Sequence, residues 1–183
     1  MKLSRAIPLV IGAGVLLWGA KAMANTSTRE TPESLAARFG ISRDLAYTII
    51  SVANEARIAN PVWLARLIRF ESRFNPAAVN SVTNATGLIQ FLPSTAISLG
   101  TTVEALVRMP ALSQMHYVRA YFMQRFIQNK APFRTELDTF MVVFYPAAIG
   151  KGPNYVFPAS VQATNPGIRT AGDYLRYATR GSP

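Results

Sequence analysis

The stretch opened by Asn60-Pro61 and running Val62-Trp63-Leu64-Ala65-Arg66-Leu67-Ile68-Arg69-Phe70 to Glu71 constrains this chain more than any other. Asn60 can cap a helix by accepting from a backbone N–H of the first turn, and Pro61 suits the first helical position. Apolar residues at Val62, Leu64, Ala65, Leu67, Ile68 and Phe70 cover more than one face, which predicts a helix at the centre of a domain rather than on its surface. Glu71 then stands near the C-terminal end of a buried helix. Burial disfavours an ionised carboxylate, so such a Glu stays protonated near neutral pH and can serve as a general acid. The bland alternative is a surface ion pair with Arg69, Arg73 or another basic residue.

The remainder of the chain is helical in pattern almost throughout. Thr31-Pro32-Glu33 starts a helix that Gly40 stops, and Ser42 caps a second one extending to about Arg57. Further helices are predicted over 93–99, 103–107, 111–128, 136–144 and 171–179. Between Ala147 and Gly167 the chain is broken by Gly150, Gly152, Pro153, Pro158, Pro166 and Gly167, which predicts an ordered loop without regular structure. No internal repeat is visible. Residues 31–183 are therefore expected to form a single all-α domain of ordinary size.

The Glu71 helix leads into Glu71-Ser72-Arg73-Phe74-Asn75-Pro76, followed by Ala85-Thr86-Gly87-Leu88-Ile89-Gln90-Phe91 and Pro93-Ser94-Thr95-Ala96. These segments resemble the catalytic motifs of the soluble lytic transglycosylases, with Ile89 where that family has Met in its Gly-Leu-Met-Gln run. Much later, Phe144-Tyr145-Pro146-Ala147-Ala148 lies where the family has Ala-Tyr-Asn-Ala-Gly. Tyr145 matches there and the following residues do not; this variant pattern looks like phage-encoded members. The resemblance spans about Ala53 to Tyr155. It implies a lysozyme-like, goose-type-lysozyme-like fold with a glycan-binding groove, and cleavage of the MurNAc-GlcNAc β-1,4 bond of peptidoglycan to leave 1,6-anhydro-MurNAc ends. By the same resemblance Glu71 is the catalytic acid, and Ser72, Gly87, Gln90, Phe91 and Tyr145 bind substrate.

Each matched residue also has a physical reading of its own. Gly87 lets backbone approach a sugar closely, or is a plain turn glycine. Gln90 offers the donor and acceptor an N-acetyl group requires, or satisfies a helix end. Ser72 can bond the glutamate or the glycan, or a backbone carbonyl. Phe91 and Tyr145 suit the walls of a groove, while an aromatic beside Phe140 and Phe144 is equally suited to a core. Ordinary glycosidases use two carboxylates. This chain has 9 acidic residues, and none follows Glu71 within a short loop. A lytic transglycosylase, as the resemblance implies, dispenses with the second by using the substrate's own acetamido oxygen and 6-hydroxyl. Hydrolysis stays open through Glu55, Asp138 or Asp173, should one approach in three dimensions. No cofactor and no metal is called for.

Lys2 and Arg5 precede an apolar stretch over 6–20, and Ala22-Met23-Ala24 has the small-x-small pattern of a cleavage site. Residues 1–24 read as a signal peptide, or as a membrane anchor, and 25–30 as a polar tether. The stretch is shorter than the ~20 apolar residues of a typical span, which favours cleavage and export to the periplasm or cell envelope; virion association is the other placement. Cleavage would remove Lys2, Arg5 and Lys21 and no acid, taking the formal net charge from +10 to about +7. Such a charge suits the anionic wall and its peptidoglycan strands as partner. The arginines are scattered, so nucleic acid is not expected. Zero cysteines exclude disulfides and thiolate zinc sites, and the single histidine, His116, supports neither a His-rich metal site nor Ser-His catalysis. Nothing in the sequence sets an oligomeric state. Leu35 to Ser42 resembles the start of a wall-binding LysM repeat and the turn of a helix-turn-helix, or is an ordinary helical hairpin. The second function class is therefore a non-catalytic wall-binding or virion structural protein with a degenerate lysozyme-like domain.

Overall fold

The computed structural model describes residues 30–130 and 132–183. The leader or anchor over 1–24, and all of the tether except Glu30, lie outside the described residues. Helix α1, Pro32–Phe39, opens with a capping box between Thr31 and Ser34 and closes on Gly40 at φ 66. Ser42 caps α2, Arg43–Glu55, through its side-chain oxygen. The segment from Leu35 to Ser42 is thus a helical hairpin. Helix α2 stops two residues short of Arg57, which takes a left-handed φ of 59 while Ile58 N–H returns to the Ala53 carbonyl.

Helix α3, Pro61–Ser72, begins as its sequence dictates: the Asn60 side chain accepts from Val62 N–H at 3.0 Å, and Pro61 occupies the first turn. Leu64, Ala65, Leu67 and Ile68 are wholly buried. At about 1.5–3 kcal/mol for each large aliphatic side chain removed from water, this one helix anchors much of the core. It packs against α2, and against α7 and α9 introduced below, while α2 also carries α1 and α6. Helix α4, Pro93–Ser98, and α5, Val103–Leu106, are short and follow a long loop. Helix α6, Ala111–Asn129, lays Gln114, Met115, Val118, Tyr121 and Phe122 on its buried stripe. Helix α7, Glu136–Phe144, is followed by a 3-10 turn over Pro146–Ala148.

The stretch between Ala147 and Gly167, read as irregular from its Gly and Pro content, contains a further helix, α8, Ala159–Thr164. Pro158 and Pro166 flank this six-residue run without interrupting it, so the breakers bound a helix rather than prevent one. Helix α9, Ala171–Thr179, opens with a second capping box, Thr170 to Asp173. No strand forms among the described residues; pairing is confined to isolated bridges such as Val79 with Thr86 and Thr86 with Phe91. No helix there is long and apolar enough to cross a membrane. The fold is all-α, as expected.

Candidate active site

Three pieces of chain meet at the end of α3. The helix terminates because Arg73 and Phe74 both take left-handed backbone, φ 53 and 62, which turns the chain away after Ser72. Asn75 then accepts from Ala77 N–H at 2.9 Å and starts the loop that runs to Phe91. That loop is folded onto itself by Thr86 and Phe91, which exchange backbone hydrogen bonds of 3.0 and 2.9 Å.

Glu71 is half-buried beside this loop and makes no side-chain hydrogen bond or ion pair among the described residues. Burial pushes its carboxyl pKa up from the ordinary 4.5 to about 7. Its negative charge in turn helps raise the phenols of Tyr121 and Tyr174, which lie within its field, although burial is the larger cause for both. Tyr121 donates its hydroxyl to the Val142 carbonyl at 2.8 Å, so it has no proton left to stabilise an ionised Glu71. Tyr174 stacks on Phe144 at 3.8 Å and meets Phe70 edge-on at 6.0 Å. Glu71 is thus a carboxyl held towards its neutral form beside two buried tyrosines.

Ser72 directs its hydroxyl to the Ile68 carbonyl at 3.1 Å and the Leu88 carbonyl at 3.0 Å. Its one proton is spent within the fold, tying α3 to the loop carrying Gly87 and Gln90. Ser72→Ala would leave the buried Leu88 carbonyl without its side-chain donor and is expected to cost about 1–3 kcal/mol in urea denaturation. Unchanged stability with lost turnover would return Ser72 to the substrate side.

Gly87 also has an internal reason. At φ +84, a Cβ there would stand 2.4 Å from Gln114 Oε1. The close approach read from the sequence is made by Gln114. That side chain is fully buried, accepts from Leu88 N–H at 3.0 Å, and donates to the Pro76 and Leu106 carbonyls, each at 2.7 Å. Gln114 was missed in the sequence, although a Gln on the same helical stripe as Val118 and Tyr121 was a usable signal. Tyr121 and Tyr174 were missed too.

Gln90 is half-buried in left-handed backbone, φ 52. Its amide nitrogen donates to the Gly87 carbonyl at 3.1 Å and the Ala78 carbonyl at 3.3 Å, leaving its side-chain oxygen as the group free to accept among the described residues. Phe91 is buried, edge-on to Tyr121 at 6.2 Å, and lines a small recess of about 40 Å³ with Gln90, Tyr121 and Val143. A wider trough of about 490 Å³ lies against the same loop, bounded by Val79, Asn84, Thr86, Pro93, Val103, Glu104 and Val107. Tyr145 is half-buried and packs with Tyr155 at 6.3 Å and Phe157 at 5.5 Å. Its phenol is raised by burial and by Tyr155, with no contribution from Glu71.

The carboxylates that stood as partners for a two-acid mechanism are engaged elsewhere. Glu55 pairs with Arg119. Asp138 accepts from Thr135 at 2.7 Å and from Gly150 N–H at 2.8 Å. Asp173 closes the α9 capping box and pairs with Arg176. His116 is exposed and meets Tyr117 edge-on.

Residues 47–115 match the Transglycosylase SLT domain family. The matched SLT segment runs from within α2 to the first turns of α6 and includes Glu71, Ser72, Gly87, Gln90, Phe91 and Gln114; Tyr145 lies beyond it. Comparison with curated proteins and with solved structures returned no match. The all-α architecture is consistent with a lysozyme-like SLT domain, and the match supports a transglycosylase acting on peptidoglycan in general terms.

Proposed function

We propose that this protein is a peptidoglycan lytic transglycosylase in which Glu71 is the sole acid–base group. The observation that carries the reading is the desolvated, unpaired Glu71 carboxyl, with a pKa of about 7, inside an SLT segment. Glu71 would give its proton to the glycosidic oxygen as the bond from C1 of MurNAc breaks, with the acetamido oxygen assisting at C1. The resulting carboxylate would accept the proton of the 6-hydroxyl as O6 closes on C1, which returns Glu71 to its starting form and leaves a 1,6-anhydro end. A pKa near neutrality serves both halves, since the group must donate and then accept. Engagement of Glu55, Asp138 and Asp173 in structural contacts supports a one-acid reaction over two-carboxylate hydrolysis.

The Gln90 side-chain oxygen would accept from an N-acetyl N–H, and Phe91 and Tyr145 would shape the groove walls. Gly87 and Ser72 would act on substrate through the loop they hold. Residues 1–24 would export or anchor the domain on a short tether, to the cell envelope or to a virion used for wall penetration.

Mass spectrometry of peptidoglycan digested by the full chain tests the reading. Anhydro muropeptides are the expected products. Products heavier by one water would make the protein a hydrolase. No cleavage at any pH would favour the non-catalytic wall-binding class, whose sequence support is the altered Pro146-Ala147-Ala148 segment.

A further inference from the structure

A second concave site lies on the other side of α3. With 3.6 residues per turn, Arg69 and Glu71 project roughly 160° apart around the helix. Arg69, Arg73 and Arg180 line a half-open cavity of about 630 Å³ together with Phe39, Phe70 and Phe74. No acidic residue lines it, and none of the three arginines joins an ion pair among the described residues. The C-terminal ends of α1, α3 and α9 converge there, at Phe39, Arg73 and Arg180. Each helix end carries about half a negative charge, so the three would offset roughly 1.5 of the three positive charges. Dipole compensation therefore accounts for only about half of the basic charge; Arg69 is half-buried while Arg73 and Arg180 are exposed, so the cavity presents a net positive charge suited to one or two anionic groups.

We propose that this cavity binds the carboxylates of a peptidoglycan stem peptide, on a strand other than the one being cleaved, and so holds the domain on the wall. This rests on the peptidoglycan reading above for the identity of the anion. The guanidinium fork matches a carboxylate in two-point geometry. The volume falls within the ~300–1,000 Å³ of sites that enclose small ligands. Phe39 is buried and Phe70 and Phe74 are half-buried, giving the aliphatic parts of a peptide an apolar floor. A flat membrane surface fits less well. Among the described residues, Tyr177 is the large exposed apolar side chain that meets the lining, against Phe70 at 5.8 Å, so the rim there shows no set of residues to insert into lipid.

The test titrates the full chain by calorimetry with a synthetic sugar-free stem tetrapeptide, and with its carboxyl-amidated counterpart. Turnover is measured in parallel on glycan strands stripped of peptide. Arg69→Ala and Arg180→Ala are each expected to weaken tetrapeptide binding about tenfold, as loss of a charged hydrogen bond would. Turnover of stripped strands should stay within about twofold of the parent, since neither residue faces the bond being broken. Arg180→Lys should recover part of the affinity, and the amidated peptide should bind no better than the variants bind the native one. Binding unaffected by either substitution, or absent in the parent, overturns the proposal. So does arginine-dependent binding to phosphatidylglycerol vesicles without peptide binding, which would assign the cavity to a lipid surface. Arginine-dependent peptide binding in a chain that cleaves no glycan would sustain the cavity and sink the catalytic reading, so the two fail separately.

Discussion

Glu71→Gln is expected to lower glycan cleavage by about 10² to 10⁴-fold, because Gln keeps the shape of the side chain but has no proton to donate to the leaving oxygen. The same substitution should stabilise the domain at alkaline pH. Glu71 has a folded-state pKa of about 7 against an ordinary 4.5, so folding favours its protonated form. That advantage is complete below pH 4.5 and is lost as pH rises through 7. Above pH 7 the ionised carboxylate costs the fold up to about 3 kcal/mol by linkage, less whatever solvent reaches its half-buried side chain. Denaturation at pH 8 and pH 4 should therefore show Glu71→Gln gaining stability over the parent at pH 8 and little at pH 4. A folded variant that retained most of its activity would move the acid elsewhere.

Gly87→Ala should be the most damaging substitution in the loop. The backbone there, at φ +84, is one that L-residues rarely adopt, and the new methyl would collide with Gln114 Oε1 at 2.4 Å. Gln114 cannot retreat cheaply. Its amide satisfies Leu88 N–H and the carbonyls of Pro76 and Leu106, and abandoning a buried polar group costs about 1–3 kcal/mol each. A loss of roughly 3 kcal/mol or more is expected in thermal or urea unfolding, with activity falling as the loop beside Glu71 is displaced. A cost below about 1 kcal/mol would mean that Gln114 does not fix the loop.

Local signals carried the helices, and long-range contacts decided the roles within the site. Asn60 and Pro61 announced α3, and its all-round apolar pattern announced its burial and hence the altered acidity of Glu71. Gly87 and Ser72 were legible as special positions, but their partners Gln114 and Leu88 lie 27 and 16 residues away, beyond the reach of any periodicity. The sequence leaves each residue open between a sugar and a place in the fold; the structure sets Ser72 against the Leu88 carbonyl and Gly87 against the Gln114 side chain. Tyr145 drew attention through its motif, whereas the phenols in the field of Glu71 are Tyr121 and Tyr174. Both tyrosines sit on the buried stripes of their helices, where an aromatic reads as core whether or not its hydroxyl has neighbours. Helix α8 escaped notice because six residues between two prolines carry too little periodicity to register.

The most direct test of Glu71 as the general acid is the pH dependence of kcat/KM for peptidoglycan cleavage by the full chain. Only the protonated free enzyme can begin the reaction, so kcat/KM should hold up to neutrality and then fall about tenfold per pH unit above a pKa of about 7. A profile already falling through pH 4.5, the range of an ordinary solvated carboxyl, would contradict the buried-acid account.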